Sequence, residues 1–248
     1  MSTKKHGIVT GAGKGIGLST VKKLLENGYS VTAVTRSESK TLNHLRVQYG
    51  SDLDTVIYDL ANLENIKKVF ANWYKGDKTC FLVNNAAVRS RHKLSKLDYN
   101  QINNVLQINY MSPLIITKEY LSKIKQNKVN HSIISVTSIV GPRGFKDLSA
   151  YASSKGALES SMRSLAIEYS GKNVRINCVA PGFIKTSYFK DFKEKKSKLY
   201  KWTLDRTPMG RWGEVEEVAD VVEFLVSKKS SYITGSTIYV DGGWSANA

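Results

Sequence analysis

The feature of this 248-residue sequence that most constrains its fold is a regular alternation of short apolar runs and amphipathic segments. The apolar runs are of strand length and rich in β-branched residues, and the segments between them carry apolar residues at helical spacing. Consecutive parallel strands need such a crossover, so the pattern predicts repeated βαβ units. The predicted strands are Gly7–Thr10, Ser30–Thr35, Asp54–Tyr58, Cys80–Asn84, Ser132–Val136, Arg175–Val179 and Thr237–Val240, and the predicted helices are Ile16–Leu25, Ile66–Trp73, Tyr99–Ile124, Tyr151–Tyr169 and Val215–Leu225.

No proline- or glycine-rich linker interrupts this alternation, and no internal repeat or low-complexity tract is present. A chain of this length lies within the size of one α/β domain. The sequence therefore predicts a single doubly wound domain over residues 1–248, with a seven-stranded parallel sheet covered by helices on both faces. The stretch Lys185–Gly213 breaks the rhythm and is too long for a plain connection, so we expect a functional lid there, with room for helices of its own.

The charge balance is strongly basic, with 37 Lys and Arg against 21 Asp and Glu and a formal net charge of +16. Such a charge favours anionic partners. The lysines, however, are scattered over predicted helix faces and are densest between Lys190 and Lys201. A scattered basic surface without a recognisable binding module does not predict a nucleic-acid partner.

The compartment is predicted from the apolar segments and the cysteines. No apolar run approaches the roughly 18 consecutive residues of a membrane helix. The N-terminal residues lead directly into the first strand, so we expect no signal peptide, no membrane partner and a cytoplasmic location. Cys80 and Cys178 each lie within a predicted strand. Buried reduced thiols are expected there, with no disulfide and no metal site.

A glycine-rich turn follows the first predicted strand, with the sequence Thr10-Gly11-Ala12-Gly13-Lys14-Gly15-Ile16-Gly17. Glycine permits positive φ angles and a close approach of the backbone to a pyrophosphate. The N-terminus of the following helix offers free N–H groups and the positive end of its dipole to a phosphate. The spacing T-G-x-x-x-G-x-G differs from the G-x-G-x-x-G fingerprint, but its position at the start of a βαβ series still predicts nucleotide binding.

The end of the second predicted strand indicates which nucleotide is bound. NAD-binding proteins usually place an Asp or Glu there to hold the ribose 2′-hydroxyl. This strand ends Val34-Thr35-Arg36-Ser37, without an acid. Arg36 and Lys14 are cations suited to a 2′-phosphate, and the hydroxyl of Thr35 is a further donor. The sequence therefore predicts NADP(H) as the cofactor.

Tyr151 and Lys155 are four residues apart at the start of a predicted helix, so they share one face. A nearby ammonium favours the phenolate over the neutral tyrosine, whose ordinary pKa of about 10 is too high for ready proton exchange at neutral pH. Ser138 follows a predicted strand, where it is placed to bind a substrate oxygen. Asn109 is predicted to anchor a water molecule that links Lys155 to solvent. This set predicts general acid–base catalysis at a carbonyl or alcohol.

The residues described so far resemble the short-chain dehydrogenase/reductase family in its single-domain form of Rossmann-type fold. The resemblance covers nearly the whole chain and rests on several spaced motifs in the family's order. In one respect the sequence departs from the pattern, since Ala87 stands where the family usually has glycine. The matching segments are Thr10–Gly17, Asp59-Leu60, Leu82–Ala87, Asn109, Ser138, Tyr151–Lys155, Val179–Thr186, Pro208–Glu214, Ile233–Gly235 and Asp241–Gly243.

This resemblance implies further cofactor contacts. It places Asp59 at the adenine ring, Asn85 and its neighbours along the ribose, and Lys155 at the nicotinamide ribose. It also places the segment from Pro181 to Thr186 at the carboxamide. The expected cofactor-binding set is Gly11, Gly13, Lys14, Gly15, Ile16, Gly17, Thr35, Arg36, Asp59, Leu60, Asn85, Ala86, Tyr151, Lys155, Pro181, Gly182, Ile184 and Thr186, and the expected catalytic set is Asn109, Ser138, Tyr151 and Lys155.

Within the family, the chain most resembles the 3-oxoacyl-(acyl-carrier-protein) reductases, judged from residues 206–219 and the C-terminal segment. That resemblance implies docking of an acidic carrier through Lys125, Lys128 and Lys172. Sugar, polyol and secondary-metabolite reductases share the same fold, and a cofactor-binding regulator without turnover is a third alternative. The lid either covers a partly apolar anionic substrate or stacks its rings within the fold; these rings belong to Tyr188, Phe189, Phe192, Tyr200 and Trp202.

The resemblance also implies a homotetramer built on the Tyr151–Tyr169 helix and the last strand. The helix carries a face of small residues suited to close packing against a second copy: Ala157, Ser160, Ser161 and Ser164.

Overall fold

The computed structural model describes residues 4–124, 129–187 and 189–247, with Asp191 described by its backbone alone. The described strands form one parallel sheet in the order β3-β2-β1-β4-β5-β6-β7. The predicted fold class is confirmed. The strands are β1 (His6–Thr10), β2 (Ser30–Thr35), β3 (Leu53–Ile57), β4 (Thr79–Asn84), β5 (His131–Val136), β6 (Val174–Pro181) and β7 (Thr237–Val240).

The α-helices agree with the prediction at four places and differ at two. The helix Lys40–Tyr49 was not predicted, because only Leu42 and Leu45 are buried on it and its apolar stripe is narrow. The predicted helix Tyr99–Ile124 is divided by a π-helical segment, Gln107–Met111. The described helices are α1 (Gly15–Glu26), α2 (Lys40–Tyr49), α3 (Ile66–Trp73), α4 (Tyr99–Leu106), α5 (Ser112–Lys123), α6 (Ser149–Tyr169), α7 (Phe189–Lys195), α8 (Ser197–Asp205) and α9 (Val215–Val226).

Each face of the sheet is covered by its own apolar cluster. Because side chains alternate along a strand, Ile8 and Val9 point to opposite faces, and so do Leu82 and Val83. The Val9 face packs against α1 and α9, and the Ile8 face packs against α3, α5 and α6. A strand that is buried on both sides has a continuous apolar run in its sequence. Such strands could therefore be predicted from the sequence.

The strand order reverses between β1 and β4, where the chain first winds towards β3 and then towards β7. Doubly wound sheets bind ligands outside the carboxyl ends of their strands at such a switch point. Four of the sequence motifs fall at these carboxyl ends. Gly11 follows β1, Arg36 follows β2, Asn85 follows β4 and Ser138 follows β5.

The two cysteines are buried free thiols, as predicted. Burial raises the pKa of Cys80 to about 11 and that of Cys178 to about 12. Both thiols therefore stay protonated at neutral pH.

Two candidate features are absent from the part of the chain that the structure describes. It contains no helix that is both long and apolar enough to cross a membrane. Nor does it contain a cluster of three or more His, Cys, Asp and Glu side chains suited to a metal ion.

The packing of β1 against β4 yields a stability prediction at Gly7. A Cβ atom at this position would lie 2.0 Å from Cε2 of Phe81, whose ring is fully buried. We expect Gly7→Ala to lower the free energy of unfolding, measured in urea, by about 1–3 kcal/mol because of overpacking.

Gly171→Ala is the matched control, since a Cβ there has no heavy atom within 4 Å. Its effect should stay within about 0.5 kcal/mol. Equal stabilities of the two variants would contradict the packing described for Gly7.

Candidate active site

The turn between β1 and α1 is compact and excludes side chains at its glycines. Gly11 has a φ of +64°, and a Cβ on it would lie 2.7 Å from the Ala86 Cα. A Cβ on Gly17 would lie 2.2 Å from the Gly11 carbonyl oxygen. Helix α1 then begins at Gly15 without a side-chain cap on its first N–H groups. Uncapped N–H groups at a helix N-terminus are suited to bind a phosphate.

Hydrogen bonds from β4 hold this turn in place. The Thr10 hydroxyl oxygen accepts from the Asn85 N–H at 3.1 Å and from the Ala86 N–H at 3.2 Å. The Asn85 side-chain Nδ2 donates to the carbonyl oxygens of Thr10 and Gly11, each at 3.1 Å. Asn85 therefore fixes the glycine turn against β4, and its ribose contact stays a prediction.

A cleft of about 590 Å³ opens beside the glycine turn. This volume lies within the usual range of cofactor and ligand sites. Thr186 borders the turn, because its Cγ2 would be 3.6 Å from a Cβ on Gly15. Predicted residues that line the cleft are Gly11, Gly13, Lys14, Gly15, Ile16, Thr35, Arg36, Asp59, Leu60, Asn85, Ala86 and Thr186, and unpredicted ones include Tyr58, Glu38, Ser39, Val88 and Ile108.

The cleft fits an anionic dinucleotide at two points. Its glycine turn presents bare backbone, and its rim carries the exposed side chains of Lys14 and Arg36. The acid Glu38 also lines the rim, two residues beyond Arg36, and sequence analysis missed it because it lies past the end of β2.

The remaining predicted cofactor residues lie outside the lining of this cleft. Gly17 is buried within α1, and Pro181 is the buried last residue of β6. The Gly182 N–H donates to the Val240 carbonyl oxygen at 3.0 Å. Ile184 forms an isolated bridge with Gly213, which holds the start of the lid segment against its end.

The structure brings Ser138, Tyr151 and Lys155 together at the carboxyl end of β5. Tyr151 and Lys155 lie one turn apart on α6, and the Ser138 hydroxyl lies close enough to that of Tyr151 to lower its pKa. The Lys155 ammonium donates to the carbonyl oxygen of Val136, the last residue of β5, at 2.7 Å. Lys155 is 2% exposed, so its charge is held inside the protein by this contact.

Burial shifts the pKa values of both groups towards their neutral forms. It raises the pKa of Tyr151, against the opposing effects of the Arg89 guanidinium and the Ser138 hydrogen bond. It lowers the pKa of Lys155 to about 8. Arg89 is thus a cation near the site that the sequence did not predict, and the expected effect of the Lys155 ammonium on the tyrosine stays a prediction. Sequence analysis missed Arg89, and the only signal for it is its position directly after the Asn-Asn-Ala-Ala-Val motif.

Asn109 lies fully buried in the π-helical segment and connects two parts of the site. Its side chain accepts from the Val88 N–H at 2.8 Å and donates to the Val88 carbonyl oxygen at 2.9 Å. It also donates to the Ser154 hydroxyl at 3.0 Å, and Ser154 donates to the Tyr151 carbonyl oxygen at 2.7 Å. Its predicted link to a water molecule stays a prediction.

The lid residues pack around the indole of Trp212. The ring centroid of Phe189 lies 5.0 Å from that of Trp212, and the centroid of Phe192 lies 5.1 Å from it. Tyr200 adds a third ring at 5.7 Å, and the indole N–H donates to the Thr203 hydroxyl at 2.7 Å. Stacking within the fold therefore accounts for these lid rings, while Tyr188 lies outside the described residues.

Comparisons with known proteins match nearly the whole chain. The model of the family described as Enoyl-(Acyl carrier protein) reductase matches residues 11–245. The 3-oxoacyl-(acyl-carrier-protein) reductase FabG of Buchnera aphidicola subsp. Schizaphis graminum is 34% identical over 97% of both chains. L-xylulose reductase of Bos taurus is 34% identical over 98% of this chain and 97% of its own.

Solved structures share the fold over the same length. A candidate NAD(P)-dependent gluconate 5-dehydrogenase from Beutenbergia cavernae, with bound NADP, has a TM-score of 0.91 and 28% identity. The match covers 99% of this chain and 98% of that chain. It therefore includes the glycine turn, the cleft and the first turn of α6.

The buried ammonium of Lys155 yields a prediction about stability and pH. Its pKa falls from 10.5 in the unfolded chain to about 8 in the folded protein. Between these values the unfolded state binds more protons, so the lysine's contribution to stability rises with pH. One pKa unit equals about 1.4 kcal/mol, so the gain across the window is about 3 kcal/mol.

We expect the free energy of unfolding of the wild type, minus that of Lys155→Met, to increase by this amount from pH 7.5 to 10.5. Urea unfolding at each pH measures it. The effects of the buried tyrosines and cysteines cancel in the difference. A difference that is flat or falls with pH would contradict the burial of a titrating lysine.

Proposed function

The chain belongs to the short-chain dehydrogenase/reductase family, and from this premise we propose that it is an NADPH-dependent reductase that converts a ketone to a secondary alcohol. Membership of the family makes it an NAD(P)-dependent enzyme that acts on CH–OH or carbonyl groups. The observation that carries the finer proposal is the grouping of Ser138, Tyr151 and Lys155 at the carboxyl end of β5, at the same edge of the sheet as the dinucleotide-type cleft.

Each of the three side chains has a role that its surroundings support. Tyr151 acts as the general acid and gives its proton to the carbonyl oxygen. Its raised pKa keeps the hydroxyl protonated at neutral pH, which suits the reductive direction. Ser138, whose hydroxyl lies near that of Tyr151, orients the same substrate oxygen. The nicotinamide supplies the hydride when the cofactor is bound, and Lys155 holds its ribose.

Asn109 has a positioning role in this proposal. It is buried, and its hydrogen bonds join the Val88 backbone to Ser154 in the first turn of α6. It thereby fixes the spacing between the loop after β4 and Tyr151. The predicted water link to Lys155 belongs to the same proposal and adds a path for the proton to solvent.

The cofactor is proposed to be NADP(H), held along the carboxyl edge of the sheet. Lys14 and Arg36 are exposed on the rim of the cleft and bind the 2′-phosphate. Glycine backbone and the α1 N-terminus bind the pyrophosphate. The adenine, ribose and carboxamide contacts fall to the predicted residues at the ends of β3, β4 and β6, namely Asp59, Leu60, Asn85, Ala86, Pro181, Gly182, Ile184 and Thr186.

The substrate is a ketone, and 3-oxoacyl thioesters are the first candidates because FabG proteins are among the relatives. A sugar or secondary-metabolite ketone is the alternative, supported by the relative named L-xylulose reductase. Docking of an acidic carrier would use Lys172, whose ammonium lies 4.6 Å from the centroid of the Tyr169 ring. Lys125 and Lys128 lie outside the described residues.

We further propose a cytoplasmic homotetramer. The exposed face of α6 carries Ile167, which is 74% exposed, and β7 carries Tyr239, which is 41% exposed. Apolar side chains of this size are suited to an interface between copies. The segment 185–213 acts as the lid in this assembly, with α7 and α8 fixed to the fold through Trp212.

The role of Tyr151 is tested by removing its hydroxyl. We expect Tyr151→Phe to lower kcat for NADPH-dependent ketone reduction by about 100- to 10,000-fold, because the general acid is lost. The Kd for NADPH should change little. Tyr169→Phe, on the same helix, is the matched control and should keep wild-type kcat. If Tyr151→Phe also kept it, the proposed chemistry would be wrong.

The cofactor preference is tested at Arg36. A hydrogen bond to a charged group contributes about 1.5–3 kcal/mol, so Arg36→Ala should raise the Kd for NADPH at least about tenfold. The Kd for NADH should stay within about twofold, as titration of cofactor fluorescence would measure. Arg46→Ala, at the far end of α2, is the control.

Glu38→Gln provides the opposing test at the same rim. If the acid held a ribose 2′-hydroxyl, this variant would bind NADH more weakly than the wild type. That result, together with an unchanged NADPH affinity in Arg36→Ala, would assign the site to NAD.

A further inference from the structure

The lid segment, residues 185–213, leaves the fold and rejoins it at one place. The Lys185 N–H donates to the Gly213 carbonyl oxygen at 2.8 Å, and the Gly213 N–H donates to the Phe183 carbonyl oxygen at 2.9 Å. Ile184 and Gly213 form a parallel bridge between the two ends. The start and the end of the lid are therefore held side by side, directly before α9.

Helix α9 is a fixed support for both ends of the lid. Its side chains Val218, Val222 and Leu225 are fully buried in the apolar cluster on the Val9 face of the sheet. At its N-terminus, Glu217 Oε2 accepts from the Glu214 N–H at 2.7 Å, and the Glu214 carboxylate accepts from the Glu217 N–H in return. The free N–H groups and the positive end of the helix dipole favour carboxylates here. Both carboxylates therefore have defined positions at the base of the lid.

Each of these carboxylates pairs with one end of the lid. At the end of the lid, the two Nη atoms of Arg211 donate to the Glu217 carboxylate at 2.8 and 2.6 Å. The hydrogen bonds from Arg211, and then that from the Glu214 N–H, lower the pKa of Glu217 to about 2. At the start of the lid, the Lys185 ammonium donates to Glu214 Oε1 in a single contact between two partly exposed side chains. The start of the lid is therefore held more weakly than its end.

The start of the lid lies beside the cofactor cleft. Thr186, the residue after Lys185, lines the cleft and borders the glycine turn. The Thr186 carbonyl oxygen accepts from the Phe189 N–H at 2.9 Å, and Lys185 Nζ lies 5.8 Å from the centroid of the Phe189 ring. Because Lys185 and Thr186 share a peptide bond, a contact that fixes the lysine also restricts the threonine.

We propose that the ion pair between Lys185 and Glu214 holds Thr186 at the cofactor cleft, so that both charged residues position the cofactor site through Thr186. The inference rests on the proposed binding of NADP(H) in this cleft and assigns two positioning residues to it. When the pair is broken, the start of the lid samples other positions and fewer molecules are ready to bind. The apparent Kd for the cofactor rises as that fraction falls.

The test measures the Kd for NADPH by cofactor fluorescence in Lys185→Met, Glu214→Gln and the variant that carries both substitutions. An exposed ion pair changes an equilibrium constant by a factor of about two to five, so each single variant should raise the Kd by about that factor. The double variant should raise it no further, because the same interaction is lost in all three. Lys185→Arg keeps the charge and should bind NADPH as tightly as the wild type.

Two further measurements separate positioning from a general loss of structure. Adenosine 2′,5′-bisphosphate carries only the adenosine half of the cofactor, and Thr186 is predicted to meet the carboxamide at the other half. Its Kd should therefore be the same in all variants. In NADPH-dependent ketone reduction, KM for NADPH should rise while kcat stays at the wild-type value, because a bound cofactor holds the start of the lid in place.

The matched controls remove a second ion pair of the same helix. Lys23 and Asp220 are 2.7 Å apart, are similarly exposed, and join α1 to α9 away from the lid. Lys23→Met and Asp220→Asn should both keep the wild-type Kd for NADPH. Glu214→Gln retains an oxygen that accepts from the Glu217 N–H, so the start of α9 is kept in that variant.

Three results would overturn the positioning role and leave the proposed function standing. The first is an unchanged Kd for NADPH in Lys185→Met and Glu214→Gln. The second is a sum of two independent effects in the double variant, and the third is an equal rise in Kd for adenosine 2′,5′-bisphosphate or in the Lys23→Met control. A wild-type protein that does not bind NADPH would overturn the proposed cofactor and this inference together.

Discussion

The parallel direction of all seven strands is the constraint on which the rest of the structure depends. In a parallel sheet every strand ends at the same edge, so residues far apart in sequence meet there without any special contact between their elements. The glycine turn after β1, Asn85 after β4 and Ser138 after β5 are neighbours for this reason. Helices on both faces leave this edge as the open one, and the loops there are free to carry chemistry.

At this edge the ammonium of Lys155 is buried away from water, and its burial destabilises the fold. Holding Lys155 as a cation inside the protein destabilises the fold by about 3 kcal/mol below pH 8. The hydrogen bond to the Val136 carbonyl offsets part of the desolvation. The same burial raises the pKa of Tyr151, so the pair is held with a protonated tyrosine and a lysine that titrates near neutral pH.

The sequence predicted the elements whose residues are buried on a regular period, and it missed those that depend on tertiary contacts. The inner strands β1, β2, β4, β5 and β6 were predictable because both of their faces are buried. Helix α2 was not, because it buries only Leu42 and Leu45. The π-helical break around Asn109 has no counterpart in the apolar pattern, since the helix continues on either side of it.

The contacts that the site residues make were less predictable from the sequence than the identity of those residues. Ser138, Tyr151 and Lys155 were identified by type and spacing, but the partner of the Lys155 ammonium is a backbone carbonyl, which carries no sequence signal. Arg89 lies 62 residues before Tyr151 in a loop without regular structure. The hydrogen bonds of Asn109 hold the backbone of the preceding residue, Val88, and only the folded chain reveals them.

The aromatic side chains of the lid and the hydrogen bonds of Asn109 hold different parts of the candidate site. Phe189, Phe192 and Tyr200 of the lid are engaged with Trp212, so their faces serve the packing of α7 and α8. Asn109, in contrast, joins the Val88 backbone to Ser154 in the first turn of α6 by hydrogen bonds that include no lid residue. The spacing between the loop after β4 and the first turn of α6 is therefore fixed by the buried part of the fold and not by the lid.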